Sequence, residues 1–188
     1  MSGSSGAPVR VVLVPGVLAL LPSYRGLEDP VGYLRAACLD AVRWLGAEPR
    51  VVASAQGARV AEYLVTEVSR LPSRLAGSHL RTSASLAPQP PSGGVLIVAN
   101  GSATRTEKAP GHLDERARPF DQALRESLVT GRLGDLDQEL AHELWADVDS
   151  LVWLGQEIDV DPASVQVDYD EDPYGVQYWV MRMEGTWR

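Results

Sequence analysis

Six consecutive residues, Asn100-Gly-Ser-Ala-Thr-Arg105, put an amide, two hydroxyls, a permanent cation and a glycine into one short segment. Backbone N–H groups in such a turn, with Gly101 free of a Cβ, could hold an anionic or carbonyl group. The segment follows Val95-Leu-Ile-Val-Ala99, an apolar run that reads as a buried strand. Open α/β sheets place their sites outside the carboxyl ends of strands, so the position suits a ligand. The plainer alternative is that small polar residues close a turn after a buried strand and do nothing else. The next segment, Ala109-Pro-Gly-His-Leu-Asp-Glu-Arg-Ala-Arg-Pro-Phe-Asp121, puts His112 near the same turn. Its bland role is a polar loop residue bonded to nearby backbone.

Other chemistries find less support. The three histidines, His79, His112 and His142, form no His-x-x-x-His or His-Glu-x-x-His pattern. Glu139 and His142 stand at the i, i+3 spacing of carboxylate-bridged di-iron helices, but a single copy lacks the second motif such a centre needs. Glu143 and Asp147 share a helical face, which an ordinary solvated face explains. Ser102 has no base partner in the sequence. There is no Gly-x-Ser-x-Gly elbow, no phosphate-binding loop and no Gly-x-Gly-x-x-Gly. Cys38, the single cysteine, lies in an apolar helical pattern and reads as a small buried side chain. With no internal disulfide available, a reducing cytoplasm is the expected compartment.

The chain of 188 residues is long enough for one domain with a sizeable core, expected over residues 9–188. Residues 1–8, opening Met-Ser-Gly-Ser-Ser-Gly, read as a flexible leader or a cloning scar, with no apolar segment of a signal peptide. A net charge of −8 argues against sequence-independent nucleic-acid binding, which needs Lys and Arg to displace counterions. No apolar run is long enough for a membrane span. The five tryptophans read as packing, with Trp187 the exception that could cover a neighbouring or partner surface.

The elements that must position the turn follow from periodicity. Val9–Val14 and Arg50–Ser54 read as strands. Helices are expected from an Asp29-Pro30 start to a Gly46 stop, and over Ala58–Ser69 and Pro119–Thr130. A further helix is expected from Asp135, with Gln138 as capping-box partner, to Gly155. Ser164–Tyr169 and Val176–Met183 read as a C-terminal strand pair. Residues 71–94 read as a long loop, with a short strand possible over Leu80–Leu86. The expected fold is α/β, a three-layer α/β/α sandwich with a mostly parallel central sheet.

The strand followed by Gly101-Ser-Ala-Thr104, then Pro110-Gly111 and Pro119-Phe-Asp121, resembles the class III extradiol ring-cleavage dioxygenase superfamily. So does the opening strand running into Pro15 and Leu20-Leu-Pro22. The ending Tyr169–Tyr178 is similar to a divergent branch of that superfamily. The resemblance implies a non-haem Fe(II) or Zn(II) held by His and carboxylate ligands, with a separate His moving protons. Here Gly16 and Arg105 stand where two of those His residues would be, and the loop after the second strand that would carry a third is absent. Arg cannot do this work: it has no free lone pair and never loses its charge near neutral pH.

The expectation is therefore a dioxygenase-like protein that has lost its metal centre, with no cofactor, and that binds, scaffolds or runs a metal-free reaction. Gly16, Asn100, Ser102, Thr104, Arg105 and His112 would line its cleft, and Arg105 would pair with a small anionic or aromatic ligand. One alternative is an active metal-dependent ring-opening dioxygenase in which His112, His142 and Glu143 or Asp147 converge. Another is an interaction subunit of a homo-oligomer.

Overall fold

The computed structural model describes residues 6–24, 29–46, 48–70 and 94–188. Among the described residues its sheet has six strands: β1 (Pro8–Val14), β2 (Arg50–Val52), β3 (Val95–Val98), β4 (Ile158–Val160), β5 (Gln166–Glu171) and β6 (Tyr178–Trp187). They run in the order β2-β3-β1-β6-β4, with β5 beside β6. β1 and β2 each pair with β3 in parallel. β6 runs antiparallel to β1, β4 and β5. The sheet is therefore mixed, which corrects the expectation of a mostly parallel one. The cause is β6: it returns from the 172–177 turn antiparallel to β5 and then inserts directly beside β1. The C-terminal strand pair is present as β5 and β6.

β3 and, apart from Arg10, β1 are apolar without alternation because both of their faces are covered. Val9, Val11, Leu13, Val95 and Ile97 join one core with Trp179, Met181 and Met183. That core is closed by α3 (Ala117–Thr130), α4 (Gln138–Glu143) and α5 (Asp149–Glu157). Val12, Val14, Leu96 and Val98 join a second core with Tyr178 and Val180, closed by α1 (Gly32–Leu45) and α2 (Ala55–Arg70).

Several boundaries differ from the expected ones for tertiary reasons. Pro8 belongs to β1, and Ala7 O accepts the Trp187 N–H at 3.1 Å. α1 starts at Gly32, and Asp29 does not cap it; its carboxylate instead holds the Arg35 guanidinium. Arg35 is buried and also donates to Leu20 O (3.0 Å) and Ala19 O (2.9 Å), tying the segment after β1 to α1. α2 starts three residues early because the Ser54 hydroxyl accepts from the Gly57 N–H (3.3 Å). Gly131 does end α3, in the left-handed region at φ +69°.

The single helix expected over 135–155 is two. Trp145 adopts φ +58°, and Asn100 and Asp147 exchange backbone hydrogen bonds at 3.0 and 3.2 Å, which pulls the chain out of helix. The cap of α4 is Asp137, whose side chain accepts from Leu140 N at 2.9 Å, and not Asp135. Asp137→Ala should cost about 1 kcal/mol of stability, read from the urea midpoint. Gly155 is interior to α5; a Cβ there would lie 2.7 Å from Leu133 Cβ, so packing fixes this glycine. β4 was not anticipated, since it follows α5 with no turn residue between them.

Three tryptophans pack as expected, and Trp187, the expected exception, packs with them. Arg10 and Arg182 lie over Trp44, Trp153 meets Trp187 edge-to-face at 6.1 Å, and Trp179 is buried. Trp187 thus covers its own chain. Trp145 departs from the expectation and is 62% exposed. Among the described residues no helix is long and apolar enough to cross a membrane. The expected loop at 71–94, the possible strand over Leu80–Leu86 and His79 fall, apart from Gly94, outside the described residues.

Candidate functional site

The carboxyl ends of β1, β2 and β3 come together, and their polar groups close on one another. Gly16 N donates to Asn100 Oδ1 at 3.0 Å, and Gly16 O accepts from Gln56 Nε2 at 2.9 Å. A Cβ on Gly16 would lie 3.2 Å from Val98 Cγ1 and 3.3 Å from Gly57 Cα, so the glycine marks close packing between the end of β1 and α2. Ser54 Oγ donates to Asp147 Oδ2 at 2.8 Å. Burial pushes the Asp147 carboxyl up, against the Ser54 hydrogen bond, and the charge of Asp149 pushes the same way.

A second network lies under the 100–105 turn. Ser102 is fully buried, and its N and Oγ donate to the two oxygens of Asp121 at 2.7 and 2.6 Å. Arg105 Nε lies 3.6 Å from Asp121 Oδ2 and 3.3 Å from Asp172 Oδ2, with only 14% of the side chain exposed. Its N–H is aligned with neither carboxylate as a hydrogen bond, so these contacts are ion pairs. Gly101 N donates to Gln177 O (2.9 Å) and Gln177 N to Ser102 O (3.0 Å), fastening the turn to the residue that leads into β6. Burial pushes the Asp121 carboxyl up, with the Asp172 charge, against the Ser102 hydrogen bonds and Arg105.

The six residues expected to line one cleft thus divide. Gly16 and Asn100 share the first network; Ser102 and Arg105 share the second. Thr104 is buried, its hydroxyl has no partner among the described residues, and its methyl faces Gly111. His112 is an exposed turn residue at φ +59° whose N–H bonds Ala109 O at 3.0 Å. Arg105 does not reach out as a free cation: two carboxylates already hold it.

The ring-cleavage resemblance requires side chains that can hold Fe(II) or Zn(II), and the residues present do not fit. Gly16 has no donor atom, Arg105 has no lone pair, and Asp147 is bonded to Ser54. Glu143 is paired with Arg116 at 2.6 Å, and the same guanidinium draws Asp114 below the usual carboxylate range. Among the described residues no three His, Cys, Asp or Glu side chains are grouped to hold a metal ion. The convergence of His112, His142 and Glu143 or Asp147 expected for relocated ligands is not what the structure places there.

Several residues that matter were not singled out from the sequence: Asp121, Asp172, Gln177, Ser54 and Gln56. Asp121 left a readable signal. It stands on the inward face of α3 with Ala117, Phe120, Leu124 and Leu128, where a carboxylate needs a partner.

Beside the second network opens a cleft of about 860 Å³, between the segment after β1, residues 106–110 and residues 172–178. Val17, Ala19, Pro110 and Val176 give it apolar walls. Tyr174 and Tyr178 supply rings, and Lys108, the only lysine of the chain, supplies an ammonium. Burial pushes the Tyr178 hydroxyl up, so it stays neutral and able to donate. A cavity of about 1040 Å³ opens at the other end of β1, where Arg10 and Arg188 are paired with Glu184 and Asp159. The 860 Å³ cleft is the better candidate, because it lies at the carboxyl ends of the strands.

No protein-family model matches the chain, and no curated protein matches it.

Proposed function

We propose that this protein binds a small ligand in the 860 Å³ cleft, on an extradiol-dioxygenase-like α/β fold without a metal centre. The observation that carries the reading is the closure at the strand ends. The two positions where the resemblance expects metal or proton-transfer histidines are Gly16, bonded through its backbone to Asn100 and Gln56, and Arg105, held between Asp121 and Asp172. The two cores on opposite faces of the sheet support a three-layer α/β/α sandwich.

The ligand is a small molecule with an aromatic or apolar body and one anionic group. Tyr174 and Tyr178 meet the body, and Lys108 meets the charge. Arg105 is a positioning residue: it holds Asp172, which forms part of the cleft wall. The buried thiol of Cys38 and the net charge of −8 accord with a cytoplasmic protein that has no nucleic-acid partner.

Two measurements test this. Protein purified without chelator and reconstituted anaerobically with Fe(II) and Zn(II) should hold far less than one metal per chain by mass spectrometry of the elements. Near-stoichiometric metal overturns the reading. Titration with 2-naphthoate, followed by NMR shifts of Val17, Val176 and Tyr178, should show binding, weakened about fivefold in Lys108→Ala, the worth of one exposed charge contact near 1 kcal/mol. Shifts confined to other surfaces sink the cleft assignment.

A further inference from the structure

On the face away from α1 and α2, α3 and the segment leading into α4 leave an apolar groove of about 520 Å³ uncovered among the described residues. Pro119, Phe120, Ala123, Leu124, Leu136 and Leu140 form its floor and walls. It carries almost no polar surface except at the rim. The rim is acidic: Glu115, Asp135 and Asp137 line it, while its one arginine, Arg116, is already paired with Asp114 and Glu143.

Two exposed apolar side chains stand close in sequence to Arg116 and to its partner Glu143. Leu113 (49% exposed) lies three residues before Arg116, and Trp145 (62% exposed) lies two residues after Glu143. Trp145 is held out at φ +58° and rests against Gly111. A bulky residue in the left-handed region costs free energy, and at this position it presents an indole to solvent. Aromatic anchors of this kind carry much of the binding energy in protein interfaces.

We propose that this groove docks an amphipathic helix of a partner protein, with Leu-type anchors at helical spacing on one face and Lys or Arg beside them. The walls suit the mode: α3 on one side and residues 135–140 on the other leave an apolar trough that accepts the i, i+3/i+4, i+7 side chains of a docked helix. The acidic rim fixes the charge, since Asp and Glu on both sides would repel an acidic helix and attract a basic one. The surface is distinct from the 860 Å³ cleft and shares no lining residue with it.

The test uses a fluorescein-labelled 14-residue Leu/Lys helical peptide and its Leu/Glu counterpart, with binding read by anisotropy on the full chain. The Leu/Lys peptide should bind at least tenfold more tightly than the Leu/Glu peptide. Ala123→Arg places a cation in the trough at an exposed helix position and should weaken Leu/Lys binding at least tenfold. Ser69→Arg, the same charge change at the end of α2, should leave it within twofold. Backbone amide shifts over 120–124 and 136–140 on adding the peptide provide a second readout that requires no variant to fold. Equal loss in both variants would mean that binding follows net charge alone, which overturns the proposal. Light scattering that shows a dimer broken by Ala123→Arg would assign the groove to a second copy of this chain, and also overturns it.

Discussion

Asp121→Ala should destabilise the fold by about 3–5 kcal/mol, the usual cost of removing one partner from a buried charged network. In a domain of this size that is a fall of roughly 10 °C in Tm, and the urea midpoint should drop with little change in slope. The reason lies in what the variant leaves behind. Ser102 N and Oγ both donate to Asp121, and both are fully enclosed; without the carboxylate they lose their acceptor and gain no water. Arg105 keeps only Asp172. Asp121→Asn keeps an acceptor for the Ser102 N–H and gives up the charge facing Arg105, so it should cost less than alanine. The two variants also separate by pH. The Asp121 carboxyl is held above its ordinary value, chiefly by burial. Over the interval between the unfolded and folded values, the native chain keeps a proton that the unfolded chain has lost. Stability from this group therefore falls as pH rises through that interval. Asp121→Asn has no such proton, so its stability profile should be flatter there than that of the parent. An unchanged slope would mean that the carboxyl does not titrate differently in the two states.

The division between what the sequence told and what it hid follows a physical line. Val9–Val14, apolar but for Arg10, and Val95–Ala99 were legible because a strand covered on both faces is apolar nearly throughout, and nothing distant is needed to read that. α1 and α3 were legible from spacing, and the Gly46 and Gly131 stops from chemistry that only glycine supplies at positive φ. The failures are tertiary. No local signal says that Asp147 will pair with Asn100 and break a helix, or that β6 will insert antiparallel beside β1. The site was half legible for the same reason. The turn at 100–105 is where the sequence places it, but its partners come from α3 and from the 172–177 turn, far off in the chain. Arg105 reads in sequence as a cation awaiting an anion. Its anions are internal, and only the fold brings them to it.

Gly101→Ala should cost about 3 kcal/mol, the upper end of the overpacking range. In sequence this glycine reads as freedom for an unusual backbone or for the close approach of a ligand. The structure assigns it a different task. Its φ lies outside the left-handed region, where Gly46, Gly131 and Gly175 are found. A Cβ would stand 2.6 Å from Asp121 Oδ1, 2.7 Å from Gln177 Cβ and 2.9 Å from Trp179 Cη2, so one methyl would press on α3 and on β6 together. The Asp121 oxygen is the acceptor of the Ser102 N–H, and displacing it strains the bond that anchors the turn. Gly134→Ala is the control: that glycine has no atom within 4 Å of its added Cβ, and its variant should stay within about 0.5 kcal/mol of the parent. The comparison decides what the turn is for. If Gly101→Ala unfolds at the parent's urea midpoint and instead loses 2-naphthoate binding, the glycine serves ligand approach and the cleft extends over the turn. If stability falls and the residual folded protein still binds, the turn is a clasp between α3 and β6, and the binding surface lies beyond it at Lys108 and the two tyrosines.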